Sequence, residues 1–387
     1  MFLEVDAGNN NCLDTDFITP NPFLGQKFLI EAGSTFVAHL FRKDGHGCDG
    51  RQGEFQARPI FLDNNTTVPK QYQKFSFDSN GAMAAVGDEP DYTSTLLQAN
   101  SGATALWTVG GTKAIISDEQ KLAAMRTCAP LIWAAEGEEY FACSTEWSFQ
   151  FLTRVTREGQ YWLYTKQDLS SPSDDSLPLF KGNLAEAPVY AFWVEKAGGN
   201  YDICYFTYYG YNRGKEVVDT IWGNHVGDWE HLTVRLDSQL NPISVYMSQH
   251  SGGETISWAD VEKSGTHPVA YAAWGSHALY SSGGDHVYSS VLVDKCGKGT
   301  QWNTWDRVET YDYGAKTGLG SSVWPTWMTT DYTSTLPGKD AADPRSGGIY
   351  RWGNGGNGAT VAGQRQLEDG PTGPIDKGDC WDRSTFG

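Results

Sequence analysis

The stretch "APVYAFWVEKAGGNYDICYFTYYGY", residues 187–211, constrains the fold of this chain more than any other. Two runs rich in aromatic and apolar residues flank a Gly-Gly-Asn sequence, and aromatic and β-branched residues favour pleated strands. A short connection of Gly and Asn between two such runs predicts an antiparallel hairpin. The sequence therefore predicts a protein whose centre is a β-sheet.

Comparable patterns recur further along the chain. "DWEHLTVRLDSQLNPISVYMSQHSGG", residues 228–253, predicts a second hairpin, and "HPVAYAAWGSHALY", residues 267–280, predicts another buried strand. "SWADVEKSG", residues 257–265, predicts a short capped helix. Alternating periods and frequent turns indicate a mainly β fold, an antiparallel β-sandwich with few short helices and long ordered loops.

Three segments are predicted along the chain. Residues 1–115 contain short apolar runs broken by Gly, Asn and Asp clusters, which predicts a small N-terminal β-rich accessory module. Residues 116–127 predict a helical linker, because Ser117 and Gln120 have capping-box spacing ahead of good helix formers. Residues 128–387 are predicted to form the β-sandwich domain.

Charge and missing motifs narrow the functional classes. The 47 acidic and 29 basic residues give a formal net charge of −18, which disfavours nucleic acid and anionic membranes as partners. The sequence has neither an apolar run long enough for a transmembrane segment nor a P-loop or dinucleotide fingerprint. We expect a monomer without a nucleotide cofactor whose ligands are neutral or cationic.

Two features favour a secreted protein. Overlapping N-glycosylation acceptor sites stand at Asn64 and Asn65, and the chain has seven cysteines. The start "MFLEVDAGNN" lacks the regions of a signal peptide, which is consistent with a mature chain whose leader was replaced by Met1. Secretion is the first prediction for localisation, and a vacuolar location is the alternative.

The cysteine spacing fits disulfides better than zinc, because no two cysteines are separated as in zinc ribbons. The first pairs to consider are Cys12 with Cys48 and Cys128 with Cys143. Because seven is odd, one thiol is left over. Cys204, inside an apolar run, is the predicted buried free thiol.

Six of the eight histidines lie within about sixty residues, next to a pair of acids. Asp228 and Glu230 are two apart, so in a strand they face the same side, whereas Trp229 and His231 face the other. With His225 in the preceding turn, the two carboxylates form a ligand set for a divalent metal, namely Mg, Mn, Ca or Zn. The same two acids would alternatively serve as an acid and a base, or simply be solvated residues at a sheet edge.

The hairpin pattern brings further histidines towards these acids. Antiparallel pairing of 229–236 with 243–250 places His250 near them, and His277 ends the strand that follows. We therefore predict Asp228, Glu230, His250 and His277 as catalytic residues. Four nearby tryptophans are predicted to stack on sugar rings, with core packing as the alternative; they are Trp222, Trp229, Trp258 and Trp274.

Several motifs, in order and spacing, resemble the vacuolar protein sorting-associated protein 62 family over roughly residues 125–387. They are "FWVEK", "GNHVGDWEHLTVRL", "VYMSQHSGGE", "VEKSGTHPVAYAAWGSHALY", "RWGN" and "LEDGPTGP". The family name describes a vacuolar sorting phenotype and implies no molecular activity.

A weaker resemblance concerns the pattern His-x-x-Asp-x-Glu at His225, Asp228 and Glu230. It is similar to the heptapeptide "GHRHDWE" of the necrosis- and ethylene-inducing peptide-like cytolysins, in which these residue types hold a divalent cation that helps bind sphingolipid sugars. The resemblance implies metal ligation by these three residues. The flanking Gly and Arg are absent here, where Asn224 and Val226 stand.

Two functions are compatible with these residues. The first is a secreted hydrolase of cell-wall polysaccharide, in which a metal polarises the scissile group and His250 or His277 transfers protons. The second is a non-catalytic protein, either a lectin or cytolysin-like, that binds a carbohydrate or glycolipid with the help of a metal. The density of histidines, which titrate near neutrality, favours the enzyme.

Overall fold

A computed structural model describes residues 116–169, 177–196, 199–217, 220–289, 292–356, 367–383 and 385–386, and the backbones of strands within 1–115. The predicted pair Cys12–Cys48 and the acceptor sites Asn64 and Asn65 lie outside the described residues. By proximity of Cα atoms the chain divides into two units, one of Met1–Ile115 with Ala197–Asn200 and one of Ile116–Lys196 with Tyr201–Gly387.

The first unit is described by strands alone. They form one antiparallel sheet in the order β2-β1-β4-β5-β6 and another in the order β3-β8-β7. The strands are β1 (Phe2–Asp6), β2 (Lys27–Leu29), β3 (Thr35–Leu40), β4 (Glu54–Ile60), β5 (Gln73–Phe77), β6 (Met83–Val86), β7 (Ser94–Ala99) and β8 (Gly102–Thr108).

The second unit contains the remaining strands and short helices. Its strands are β9 (Leu131–Ala134), β10 (Leu152–Arg157), β11 (Gln160–Thr165), β12 (Val189–Glu195), β13 (Tyr201–Asn212), β14 (Lys215–Val217), β15 (Thr220–Trp222), β16 (His225–Leu236), β17 (Pro242–Gln249), β18 (Gly252–Ser257), β19 (Lys263–Ser264), β20 (His267–Ala272), β21 (Leu279–Tyr280), β22 (Gly284–Ser289), β23 (Leu292–Cys296), β24 (Gln301–Asn303), β25 (Val308–Asp312) and β26 (Thr317–Gly318). Its α-helices are α1 (Asp118–Thr127), α2 (Thr145–Ser148), α3 (Pro178–Lys181) and α4 (Gly378–Trp381), and its 3₁₀ turns are Leu184–Glu186, Thr304–Asp306, Pro344–Ser346 and Pro374–Asp376.

A seven-stranded sheet in the order β18-β17-β16-β13-β12-β25-β26 is the centre of the second unit. Its central strands β12, β13 and β16 are buried on both faces, as their successive buried residues show. In β13, Cys204 and Phe206 pack in one apolar cluster, whereas Ile203 and Tyr205 pack in a second one. Strands that are covered on both sides are apolar at successive positions, which explains the continuous apolar run of β13.

Different elements cover the two faces. The first cluster is aromatic and is completed by residues of the long C-terminal loops, such as Trp327 and Trp352. The second cluster is completed by helix α1 and by the sheet β19-β20-β9-β24, through residues such as Met125, Ile132 and Trp302. A sheet packed against another sheet is a sandwich, so the predicted mainly β fold with few short helices is confirmed.

The structure agrees with some of the local sequence predictions and differs from others. Helix α1 begins with the predicted capping box of Ser117 and Gln120. The helix predicted over 257–265 is instead one turn at Ser257–Val261, after which β19 pairs with β20. The pairings of β12 with β25 and of β9 with β20 are parallel, although only antiparallel ones were predicted.

The predicted disulfide Cys128–Cys143 is wrong for this structure. Both residues are buried free thiols, and they pack in the two clusters on opposite faces of the central sheet. Cys204 is buried, as predicted, and forms no disulfide in this structure. In the part of the chain that is described, no helix is both long and apolar enough to cross a membrane.

One glycine in β16 breaks the strand's alternation. Gly227 has a φ of 71°, and Val226 and Trp229, three residues apart, pack in the same cluster. A Cβ at Gly227 would overlap the carbonyl oxygen of Trp352. Positive φ and this close approach both require glycine, and the break sets the direction in which Asp228 and Glu230 point.

We expect Gly227→Ala to lower the free energy of unfolding by more than about 2 kcal/mol, because it combines a left-handed backbone with steric overlap. Gly137→Ala is the matched control, since Gly137 has a φ of 77° but no atom within 4 Å of the added Cβ. That control should lose about 1 kcal/mol. Denaturant unfolding measures both, and equal losses would show that the contact with Trp352 contributes nothing.

Candidate functional site

The antiparallel pairing of β13 with β16 positions the two predicted acids. Asp228 lies opposite Tyr209, and Glu230 lies opposite Thr207, on the sheet face that carries Leu232. Both acids are buried, with 5% and 8% of their surface exposed. The alternation predicted from the spacing is present, but the acids lie inside the protein and not at a solvated sheet edge.

Asp228 is held by His277. The Asp228 Oδ2 atom lies 2.9 Å from His277 Nδ1, and His277 Nε2 lies 2.9 Å from the carbonyl oxygen of Tyr140. A carbonyl accepts and never donates, so Nε2 carries a proton. The imidazole also stacks on Tyr209, with ring centroids 3.8 Å apart.

Glu230 is held by Ser248. The Ser248 hydroxyl donates a short hydrogen bond to Glu230 Oε2, and the same Ser248 oxygen accepts the backbone N–H of His231. Burial, with the nearby charge of Asp228 second, raises the pKa of Glu230 well above its usual value. The two acids therefore differ, because burial disfavours ionisation of Glu230, whereas Asp228 is hydrogen-bonded to an imidazole.

A second histidine–acid pair lies at the end of β17. His250 Nε2 is 2.6 Å from Asp294 Oδ2, and the His250 side chain is 31% exposed whereas that of Asp294 is fully buried. Tyr288 stacks on His250 with ring centroids 3.9 Å apart. A partly exposed histidine oriented by a buried carboxylate is the arrangement of a general base with its orienting residue.

Three further groups bind Asp294. Ser276 Oγ and Lys215 Nζ lie 2.8 Å and 2.7 Å from Oδ1, and the Tyr280 hydroxyl lies 2.8 Å from Oδ2. Burial acts against ionisation of Asp294, but the hydrogen bond from His250 and the charge of Lys215 outweigh it and hold its pKa below the usual value. Asp294 is thus an ionised carboxylate inside the protein.

The tight turn at 273–278 joins the two pairs. Ser276 binds Asp294 and the next residue, His277, binds Asp228. The charge of Asp294 also contributes to the raised pKa of Glu230, so the acids lie within electrostatic range of one another. We call the following residues the acid–histidine cluster: Asp228, Glu230, Ser248, His250, Ser276, His277 and Asp294.

Backbone strain coincides with this cluster. Among the described residues, His250 and His277 are two of five non-glycine positions with positive φ, at 54° and 59°. A left-handed backbone conformation is energetically unfavourable for a histidine. Such backbone strain persists only where the surrounding structure enforces it. The interactions with Asp294 and Asp228 are what hold these two imidazoles in place.

The predicted metal ligands do not converge. His225 Nδ1 lies 2.6 Å from the carbonyl oxygen of Gly227, and its Nε2 lies 3.0 Å from the amide nitrogen of Asn212. Within the described ranges, no three His, Cys, Asp or Glu residues are grouped so that they could hold a metal ion. The metal centre of His225, Asp228 and Glu230 stays a prediction.

The predicted sugar-stacking tryptophans fall into different surroundings. Trp229 is 2% exposed and packs among Tyr208, Trp327 and Trp352, so it is a core residue and that prediction is wrong. Trp258 packs at the margin of the second apolar cluster.

Trp222 and Trp274 lie beside the acid–histidine cluster. Trp222 is 44% exposed and pairs across its hairpin with Lys215, which binds Asp294. The carbonyl oxygen of Trp274 accepts a hydrogen bond from the same Lys215 ammonium.

His231 lies on the opposite face, as predicted. Its ring stacks between Phe206 and Tyr246, and burial lowers its pKa to about 3. Both ring nitrogens are buried without a hydrogen-bond partner. His231 is therefore a neutral core residue.

Sequence reasoning missed Asp294, Ser276, Ser248 and Lys215. Ser276 and Ser248 adjoin predicted residues, since they lie one and two positions before His277 and His250. Asp294 and Lys215 lie on separate hairpins, and no spacing in the sequence relates them to His250. A tertiary contact brings them together.

The raised pKa of Glu230 makes stability depend on pH. A carboxyl whose folded pKa is raised contributes stability below its unfolded pKa, and that stability is lost as the pH rises from about 4.5 towards the folded value. We expect Glu230→Gln, which stays neutral, to gain up to about 1.4 kcal/mol per pH unit relative to the wild type above that pH.

Unfolding of both proteins between pH 4.5 and 8 measures this difference. Glu136→Gln is the control, because the Glu136 side chain is exposed and the difference in stability from the wild type should stay constant with pH. If Glu230→Gln becomes less stable relative to the wild type as the pH rises, then Glu230 is ionised in the folded protein.

Comparisons with known proteins agree with the motifs. Residues 151–298 match the family model described as "Vacuolar protein sorting-associated protein 62". In Saccharomyces cerevisiae, a protein named "Vacuolar protein sorting-associated protein 62" is 30% identical over 43% of this chain and 40% of its own length. A protein named "Putative vacuolar protein sorting-associated protein TDA6" from the same organism is 30% identical over 36% of this chain and 35% of its own length.

The chain spans less than half the length of these relatives. A solved structure titled "Toxin fold for microbial attack and plant defense" is similar with a TM-score of 0.30 and 16% identity, over 56% of this chain and 87% of that chain, which is too distant to argue from. The matched segment 151–298 contains every residue of the acid–histidine cluster. The resemblance predicted from the motifs is confirmed for this segment, which matches the model of the vacuolar protein sorting-associated protein 62 family.

Proposed function

We propose that the acid–histidine cluster is an acid–base site and that this protein is a glycan-directed hydrolase. The observation that carries the proposal is His250, which is partly exposed, fixed by the buried carboxylate of Asp294 and kept in a strained backbone. In the proposed reaction His250 is the general base that activates water, and Asp294 is a positioning residue.

The charge arrangement supports this assignment. Asp294 is ionised, so His250 Nε2 donates to it and the lone pair of a neutral imidazole resides on Nδ1. Glu230, neutral through burial, is the proton reservoir behind the site, while the Asp228–His277 pair fixes the turn 273–278. In this proposal a neutral His250 and a protonated Glu230 supply the two protonation states that acid–base chemistry requires.

Exposed aromatic rings support a carbohydrate substrate. Tyr288 is 37% exposed and stacks on His250, and Trp222 is 44% exposed next to Lys215. Aromatic rings with one open face stack on the apolar faces of sugars. The formal net charge of −18 favours a neutral or cationic glycan.

The names of the relatives support a place on the vacuolar route. Both are called vacuolar protein sorting-associated proteins, and we propose that this chain acts in the vacuole or on the route to it. Secretion, the first prediction from the sequence, is the alternative.

A second function is favoured by the burial of the acids. Asp228 and Glu230 are 5% and 8% exposed and are already hydrogen-bonded, which suits a network that fixes a binding surface. In that case Trp222 and Tyr288 bind a carbohydrate or glycolipid without cleaving it. Turnover separates the two functions.

The test is a screen for product formation over neutral and cationic wall polysaccharides with the full-length protein. We expect His250→Ala to lower the turnover rate by about 10²- to 10⁴-fold, because the general base is removed. Asp294→Asn should lower it as well, and Trp222→Ala should raise KM with little change in kcat.

His267→Ala is the matched control, because the half-buried His267 binds the carbonyl oxygen of Ala129 and stacks on Trp305, neither of which belongs to the acid–histidine cluster. It should retain full turnover. Binding to a glycan of the panel without cleavage would identify a binding protein. Cleavage that His250→Ala leaves intact would place the chemistry elsewhere.

We also propose that a divalent metal binds at His225, Asp228 and Glu230 when the ligands rearrange. His225 would have to release the carbonyl of Gly227 or the amide of Asn212. We expect EDTA to lower the melting temperature of the wild type and to leave Asp228→Asn unchanged, since a bound metal stabilises the folded state. An identical EDTA response of the two proteins would exclude the metal.

A further inference from the structure

Two cysteines far apart in the sequence meet in the aromatic cluster. The Cys204 thiol, on β13, lies 3.9 Å from the carbonyl oxygen of Cys380, on α4, across a separation of 176 residues. Both side chains are fully buried and both belong to the first apolar cluster. Burial and then the hydrogen bond with the Cys204 thiol raise the pKa of Cys380.

Independent interactions fix α4 against this strand. The buried Lys196 ammonium lies 3.0, 2.9 and 2.5 Å from the carbonyl oxygens of Asp379, Cys380 and Asp382. Asp202, two residues before Cys204, lies 3.5 Å from the same ammonium.

Arg235 connects strand β13 to the residues that follow α4. It binds Asp202 through two nitrogens and donates to the carbonyl oxygen of Thr385 at 2.7 Å. The thiols are therefore held next to each other by contacts that do not involve sulfur.

We propose that Cys204 and Cys380 form a disulfide that fastens the C-terminal helix α4 to the central strand β13. The reaction is an exchange with a disulfide-carrying oxidant R–S–S–R, either a thiol–disulfide oxidoreductase or a small-molecule disulfide. One thiolate attacks the oxidant and releases R–SH, and the second thiolate attacks the mixed disulfide and releases another R–SH. Two thiols and one disulfide yield one new disulfide and two thiols, and both protons pass to the leaving thiolates.

The bond forms before the sulfur atoms are enclosed. Thiolates react, and burial disfavours the thiolate, so the folded protein oxidises slowly at this position. Until the C-terminal segment docks during folding, both thiols are accessible. Once formed, the disulfide closes a loop of 176 residues and removes conformational freedom from the unfolded chain.

Peptide mapping without reduction tests the proposal directly on the full chain made through a secretory host. The protein is unfolded in denaturant with iodoacetamide, digested and analysed by mass. We expect a linked pair of peptides that contain Cys204 and Cys380, and alkylated Cys143 and Cys296, which are buried free thiols elsewhere. Alkylation of both Cys204 and Cys380, or a link from either to another cysteine, would overturn the proposal.

A stability measurement gives a second readout. We expect dithiothreitol to lower the melting temperature of the wild type by several degrees, and to lower that of Cys204→Ala, which is already lower, by less. Cys296→Ala is the control and should retain the full response. An equal response in the wild type and Cys204→Ala would count against the disulfide. Neither measurement depends on glycan cleavage, so it is separate from the proposed function.

Discussion

The register of β13 against β16 is the constraint on which the rest of the second unit depends. Pairing from Tyr201 with Leu236 to Asn212 with His225 determines which side chains of two long strands face each cluster. A slip by one residue would move Asp228 and Glu230 into the aromatic cluster and Trp229 towards His277. Because both faces are buried, the two acids would not reach solvent after such a slip. The register is therefore strongly specified.

Burial on both faces also explains the chemistry of the site. Polar groups beneath a covered sheet must satisfy each other, because water does not reach them. Each carboxyl of the cluster is hydrogen-bonded to a side chain of the cluster, namely Asp228 to His277, Glu230 to Ser248, and Asp294 to His250. Protonation states in the cluster therefore follow from packing, and the residue that reaches solvent is His250.

Much of this architecture was predictable from local patterns. The two hairpins follow from apolar runs around short turns, and the capping box at Ser117 marks the start of α1. The common face of Asp228 and Glu230 follows from a period of two. The burial of Trp229 could not be predicted from this period. Residues alternate along a strand in the same way whether a face of the sheet is exposed to solvent or covered by the C-terminal loops. Trp327 and Trp352, about 100 residues later, cover it.

Long-range contacts mark the limit of such reasoning, and the cysteines show why. Spacing along the chain favoured Cys128 with Cys143, but the chain passes from one face of the sheet to the other between them. Cys204 and Cys380 are 176 residues apart, yet they lie on the same face of the sheet. Lys196 and Arg235 hold the C-terminal segment there, because they donate hydrogen bonds to the carbonyl oxygens of Cys380 and Thr385. Asp294 meets His250 for the same kind of reason, since the hairpin β22–β23 returns to the end of β17. In a sheet that is covered on both sides, the face on which a residue lies decides its partners more than its distance along the chain.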